Sequence, residues 1–246
     1  MKLYGLIGYP LGHSFSKKYF TGKFIKEGID DCNYENFSIN TIDELNTLLL
    51  QNPQLCGFNI TIPYKQAILP FLDDATHLPV RVTACNCVKI VERKLIGYNT
   101  DVTGFERSLL FKLKKYHTQA LILGNGGAAE AVKFVLNKLN IEFKTVSRKL
   151  HKGSNLTYAD LNQEIIEKHQ LIINTTPLGT YPNVLECPAI PYQFLTPKHY
   201  LFDLVYNPAQ TLFLQRGEQK KAIIKNGYDM LEIQAEESWR IWNSND

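Results

Sequence analysis

The sequence predicts an α/β fold of two domains, an N-terminal α/β domain followed by a Rossmann-type doubly wound one. Three observations carry this. Strand-like apolar runs alternate with helix-like segments along most of the chain, the pattern of mainly parallel sheets. A glycine loop, Gly124-Asn125-Gly126-Gly127-Ala128-Ala129, follows the apolar run ALIL and opens a helix. The 246 residues exceed what one ordinary domain of about 100–200 residues needs.

The elements read in order as follows. KLYGLIG is a strand, and SKKYFTGKFIKEG a helix with Ser16 as N-cap and Gly28 as its stop. NYENFSI is a second strand, IDELNTLLLQN a second helix and LCGFNIT a third strand running into Pro63. Proline suits the first position of a helix, so a helix is expected near Pro63 with Lys65 in its first turn. VTACNCVKIV and KLIGYNTD, separated by Glu92-Arg93, form a hairpin, and Asp101 stands where it would cap the helix VTGFERSLLFKLKK. QALIL, the glycine loop with its helix, and EFKTVSR make a second α/β unit. HQLIINTTPLG and YLFDLVYNP are strands running into polar loops, and GYDMLEIQAEESWRIW is a terminal helix with an apolar stripe. The domains are accordingly expected at 1–101 and 102–225, with a C-terminal helix at 226–246 packing back on the first.

Composition excludes several classes. Hydrophobic residues make up 44% and charged residues 21%, an ordinary globular balance. The net charge is only +3, with lysines and arginines scattered, so no basic stripe points to nucleic acid. No apolar run approaches the roughly 18 residues of a membrane span. The N-terminus, MKLYGLIGYPLGHS, is broken by glycine and proline before a signal-peptide core forms, which makes the cytoplasm the expected location. Five cysteines without C-x-x-C spacing point to reduced thiols, and six histidines without a ligand pattern give no metal site.

Gly124, Asn125, Gly126, Gly127, Ala128 and Ala129 fit G-x-G-x-x-A, in which glycines permit a tight turn and close backbone approach to a pyrophosphate at a helix N-terminus. The following strand ends in Ser147-Arg148-Lys149 rather than an acid. A carboxylate there would accept from the ribose 2′-hydroxyl of NAD, whereas arginine pairs with a phosphate, so NADP(H) is the expected cofactor.

Four stretches of the first domain put polar residues at strand ends: Ser14 and Ser16; Asn59, Thr61 and Lys65; Asn86; and Asn99, Thr100 and Asp101. Carboxyl ends of strands are where ligands bind in open α/β sheets. Each residue also has a structural reading, as helix cap, turn former or surface lysine. Hydride transfer to a ketone needs a proton donor, and a lysine coupled to an aspartate supplies one. Lys65 and Asp101 are therefore the candidate catalytic dyad.

The stretches GYPLGHSFS, GFNITIPYK, CNCV, GYNTDVTGF, GNGGAAEA followed by VSRK, NTTPLG, DLVYNP and GYDMLEIQA resemble the shikimate dehydrogenases in content and order, over nearly the whole chain. The resemblance implies reversible, NADPH-dependent reduction of 3-dehydroshikimate to shikimate in aromatic amino-acid biosynthesis. It implies that Ser14, Ser16 and Thr61 hold the substrate carboxylate, and that Lys65, Asn86, Asp101 and Gln234 contact its hydroxyls. Tyr206 falls on the substrate side. Gly124 to Ala128, Ser147, Arg148, Lys149, Thr176, Leu204, Gly227 and Met230 fall on the cofactor.

The chain departs from the family's usual pattern at Lys17 (proline), Cys87 (threonine), Asn125 (alanine) and Ser147 (asparagine), none of them a proposed catalytic group. The partner is a small molecule, with no nucleic acid and no membrane, and the enzyme is expected as monomer or homodimer. Two alternatives stand beside this reading: an NAD-using quinate/shikimate dehydrogenase, and a non-catalytic NADP-binding regulator on the same fold. His13 is expected to have a local packing or hydrogen-bonding role.

Overall fold

The computed structural model describes residues 1–11, 15–80, 82–150 and 153–244. Its contacts divide the chain into two units, Met1–Thr103 with Glu232–Asp246, and Gly104–Leu231.

In the first unit, β1 (Lys2–Gly8) is buried at every residue after Lys2, as a strand covered on both faces must be. The helix α1 (Phe15–Glu27) returns the chain to β2 (Cys32–Ser38), and α2 (Leu45–Gln51) leads to β3 (Leu55–Ile60). Both new strands run parallel to β1. β4 (Cys87–Val91) and β5 (Lys94–Tyr98) then add antiparallel, giving the order β2-β1-β3-β4-β5. Glu92 (φ 49°) and Arg93 (φ 65°) make the hairpin turn with two left-handed residues, which matches the twist of the strands. Alternation along β1 feeds two cores. Leu3 and Ile7 pack with Leu45, Phe58 and Ile68 on one face, and Tyr4 and Leu6 with Phe20, Phe24, Tyr34 and Trp242 on the other.

α3 (Thr100–Leu110) leads to the second sheet. Its strands are β6 (Gln119–Leu123), β7 (Glu142–Ser147), β8 (Leu156–Thr157), β9 (Leu171–Asn174), β10 (Tyr200–Asp203) and β11 (Ile223–Lys225), joined through α4 (Gly127–Lys138), α5 (Gln163–Lys168) and α6 (Leu212–Gln219). All pairs are parallel, in the order β11-β10-β9-β6-β7-β8. In chain order this is the 3-2-1-4-5-6 arrangement of a dinucleotide fold, with its switch point between β6 and β9. The last helix, α7 (Tyr228–Asn243), lays Trp242 on the first sheet, where its Nε1 donates to Val88 O at 2.9 Å. Gly57 makes that possible, since a Cβ there would lie 2.4 Å from the indole.

Three local expectations are corrected. No helix starts at Pro63; residues 62–68 form successive turns, because Lys65 O accepts from Cys85 N (2.8 Å) instead of from the fourth residue along. Ser16 is the second residue of α1 rather than its cap. Asp101 lies inside α3, where Asn99 Oδ1 takes the capping bond from Val102 N at 3.2 Å, and the helix stops at Leu110, short of the expected Lys115. The short elements β8, α5, α6 and β11 carry too few residues for a periodic signal.

Asp203, at the end of β10, is fully buried and accepts from Thr211 Oγ1 (2.5 Å), Asn174 Nδ2 (2.9 Å) and Val205 N (3.0 Å). Burial outweighs these bonds and raises its pKa from an ordinary 3.8 to about 6. The folded chain therefore holds this proton more tightly than the unfolded one. The associated stabilisation is complete below the unfolded value and lost as pH rises through about 6. The stability advantage of the wild type over Asp203→Asn, from denaturant titrations, is expected to shrink by on the order of 3 kcal/mol between about pH 4 and pH 7. A pH-independent difference would contradict this. His117, His169 and His199 are buried with their pKa values lowered by burial, each with a ring nitrogen against a backbone carbonyl.

Candidate functional site

Lys65 lies beyond β3, on a segment anchored at several points. Thr61 N donates to Ile7 O (3.0 Å), Tyr64 Oη to Ile39 O (2.7 Å), and Ile68 is fully buried. The Lys65 ammonium donates to Asp101 Oδ2 at 2.6 Å, a short charge-assisted bond. The side chains are 21% and 11% exposed, so the pair is sheltered yet reachable. Asp101 is free for this role because Asn99 caps the helix and is itself held by its Nδ2 donating to Ala84 O (2.7 Å). The first turn of α3 also favours a carboxylate.

Around the dyad the first unit assembles a buried amide and hydroxyl network. Asn86 Oδ1 accepts from Thr100 N (2.6 Å), while its Nδ2 donates to Thr100 Oγ1 (3.0 Å) and to Gln234 Oε1 (3.2 Å). Gln234, from α7, thereby meets the residue that leads into β4 and the start of α3. Behind it Asn59 Nδ2 donates to Ser238 Oγ (2.9 Å), and Tyr34 Oη donates to Asn59 Oδ1 (3.0 Å). The Ser16 hydroxyl bonds the same Tyr34 phenol, whose pKa burial raises well above its usual value. Thr61 packs on Gly8, where a Cβ would come 2.5 Å from its methyl, so the segment carrying Thr61 lies against the residue that opens the GYPLGHS loop. Ser14 and His13 fall outside the described residues. Cys85 and Cys87 are buried, and burial pushes the Cys85 thiol up to about 11, which keeps it protonated and unreactive.

Lys65 is thus bonded to Asp101 and Asn86 to Gln234, the second pair meeting the first only through Thr100, the residue before Asp101, with Ser16 linked to Asn86 and Ser238 through Tyr34 and Asn59. Tyr206 belongs to the other unit, half-buried after β10, its phenol pKa raised by burial. Thr100, one of the strand-end polar residues, lies within the network, and Tyr34 and Ser238, which the sequence reading does not include, complete it. Ser238 had one available signal, its position one turn beyond Gln234, whose carbonyl it bonds at 2.9 Å.

In the second unit a cavity of about 760 Å³ opens at the switch point, within the range of ligand pockets. Its walls include Gly124, Asn125 and Gly126, then Ser147, Arg148 and Lys149, then Thr176. Whether these residues suit a dinucleotide is decided by the glycines. Gly124 has φ +104°, and a Cβ on it would meet Thr175 Oγ1 at 2.8 Å. Gly126 and Gly127 would meet nothing within 4 Å, so packing does not demand glycine there and the open space serves a ligand that approaches the backbone. α4 begins at Gly127, directly after the wall residue Gly126 and without a side-chain cap, although Gly127 and Ala128 are not themselves part of the cavity wall. Arg148 and Lys149 supply cations, whereas Ser147 Oγ is spent on Lys149 O at 2.6 Å. Asn125 is bonded by Lys133, which also pairs with Glu130 at 2.9 Å. Leu204, Gly227 and Met230 do not line this cavity. Gly227 packs on Leu204, whose carbonyl oxygen would lie 2.2 Å from a Cβ. The residues present fit NADP(H). Among the described residues no cluster of His, Cys, Asp and Glu could hold a metal, and no helix is long and apolar enough to cross a membrane.

Residues 6–88 match the family described as the shikimate dehydrogenase substrate binding domain. The chain is 35% identical over 258 residues to the protein named shikimate dehydrogenase (NADP(+)) of Methanococcus maripaludis, covering 98% of this chain and 91% of that one. It is 34% identical over 252 residues to the protein of the same name from Staphylococcus aureus, covering 99% and 93%. The crystal structure of shikimate 5-dehydrogenase from Thermus thermophilus in complex with NADP(H) and shikimate is similar at a TM-score of 0.85 and 27% identity, covering 99% of this chain and 94% of that one.

Proposed function

The chain belongs to the shikimate dehydrogenase family, and from that premise we propose that it reduces 3-dehydroshikimate to shikimate with NADPH, reversibly, in aromatic amino-acid biosynthesis. The observation that carries this is the 2.6 Å bond between Lys65 and Asp101, set beside the Asn86–Gln234 pair. A binding module has no need of a proton-transfer pair.

Arg148, Lys149 and the glycine loop that leads into α4 would hold NADPH in the cavity, where it would supply the hydride. The chain's own groups manage charge and orientation. Lys65 donates a proton to the C3 oxygen as it gains negative charge, and in the reverse direction the pair accepts it from the C3 hydroxyl. Asp101 holds the ammonium in place. Ser14, Ser16 and Thr61 hold the substrate carboxylate with neutral donors, which avoids burying an extra cation. Asn86 fixes Gln234, and both meet the ring hydroxyls. Tyr206 completes the substrate side. The same reading places the protein in the cytoplasm as a monomer or homodimer.

The test is an absorbance assay at about 340 nm with shikimate or quinate and NADP+ or NAD+. Shikimate-dependent reduction of NADP+ with the highest kcat/KM of the four combinations is expected. Preference for quinate with NAD+ would reassign the protein to the quinate branch. NADPH binding without turnover would make it a regulator. Replacing Ser14 and Ser16 together by alanine removes charge-assisted bonds and is expected to raise KM for shikimate about 10²-fold or more, with KM for NADP+ nearly unchanged. Equal rises in both would remove the serines from the carboxylate site.

A further inference from the structure

A hydrogen-bonded chain runs from the core of the second unit to the wall of its cavity. Asp203 and Asn174 are register partners on β10 and β9. Asp203 Oδ1 accepts from Asn174 Nδ2 at 2.9 Å and from Val205 N at 3.0 Å. With Nδ2 so engaged, Asn174 turns its Oδ1 the other way. There it accepts from Thr176 N (3.0 Å) and Thr176 Oγ1 (2.6 Å). Thr176 is part of the cavity wall, and its hydroxyl oxygen in turn accepts from Leu178 N at 3.3 Å. Leu204 N donates to the Asn174 carbonyl (3.0 Å), so both flanking segments hang on one asparagine.

A carboxylate in this position is costly. It is fully buried, and no cation pairs with it among the described residues. Its donors are a threonine, an amide and a backbone N–H. What an acceptor at Oδ1 achieves is a single orientation for the Asn174 amide. A flipped amide would turn N–H groups toward the Thr176 N–H and leave donors facing donors.

We propose that Asp203 and Asn174 are positioning residues for cofactor binding: Asp203 orients the Asn174 amide, and that amide sets Thr176 and the wall behind the glycine loop. This rests on the NADP reading of that cavity. Neither residue touches the ligand, and both act through Thr176.

Calorimetric titration of NADP+ into the full chain, well below the melting temperature of each variant, tests this. Asp203→Ala, which removes the Oδ1 acceptor, is expected to weaken NADP+ about fivefold to tenfold. Asp203→Asn keeps an oxygen toward Asn174 and Val205 and should bind within about twofold of the wild type. Thr211→Val removes the bond to the other carboxylate oxygen, Oδ2, and should lower stability yet leave NADP+ binding within about twofold. Should Asp203→Ala not fold, Asn174→Ala breaks the middle link and should show the same fivefold to tenfold loss. Parallel weakening in Asp203→Ala and Thr211→Val would reduce Asp203 to a stabilising residue and overturn the proposal, as would unchanged affinity in Asp203→Ala or in Asn174→Ala. Failure of the cofactor reading looks different, because the wild type would then not bind NADP+ or Arg148→Ala would bind it as well as the wild type.

Discussion

Lys65→Ala is expected to lower kcat about 10²- to 10⁴-fold, the range of a lost general acid, with only a modest change in KM for shikimate. The geometry sets this imbalance. Lys65 spends its ammonium on Asp101 at 2.6 Å, so in the ground state it adds little binding, whereas at the transition state it meets the oxygen where charge develops. The backbone around it does not depend on the side chain, because the anchoring bonds come from Thr61, Tyr64 and the Lys65 carbonyl. The variant should therefore fold and bind. Steady-state rates in both directions at saturating NADP+ or NADPH check it, and a near-normal kcat would remove Lys65 from the proton path. Asp101→Asn, which keeps the shape and loses the charge, should fall in the same direction by a smaller factor.

Gly124→Ala is expected to be the most damaging small substitution in the cofactor unit. A side chain at φ +104° is strained, and its Cβ would sit 2.8 Å from Thr175 Oγ1 and 2.9 Å from Thr176 Cγ2. Neither threonine can yield cheaply. Thr175 holds Leu123 O through both its N–H (2.9 Å) and its hydroxyl (2.8 Å), and Thr176 is held by Asn174. Strain and overpacking together should cost roughly 2–4 kcal/mol of stability. The loop N–H groups would move with the backbone, weakening NADP+ by about tenfold or more. Denaturant unfolding and calorimetry measure the two effects. A variant with wild-type affinity and stability would mean the loop relaxes without loss, contrary to the packing described.

Where an apolar run is continuous and clearly bounded, the sequence already shows the structure. β1, β3, β6 and β9 are visible because each is a buried run bounded by glycine, asparagine or threonine. The glycine loop and the missing acid after β7 point to NADP(H) with no reference to tertiary contacts, because the turn and the choice of charge are local chemistry. Lys65 and Asp101 also stood out, though by residue type and position along strand ends rather than by any visible pairing.

The tertiary structure alone decided which polar groups act on one another. Asp101 looked like a helix cap in the sequence. Asn99 caps instead, since its side chain is braced by Ala84 O, and this frees the aspartate for lysine. The helix predicted at Pro63 is absent because a distant N–H, that of Cys85, claims the carbonyl it would need. Gln234 reaches Asn86 across 148 residues only because Gly57 lets Trp242 and its helix settle on the sheet. Local pattern reports burial and turn chemistry, which depend on neighbours in the chain. Pairing of buried donors and acceptors depends on neighbours in space, and no spacing in the sequence records it.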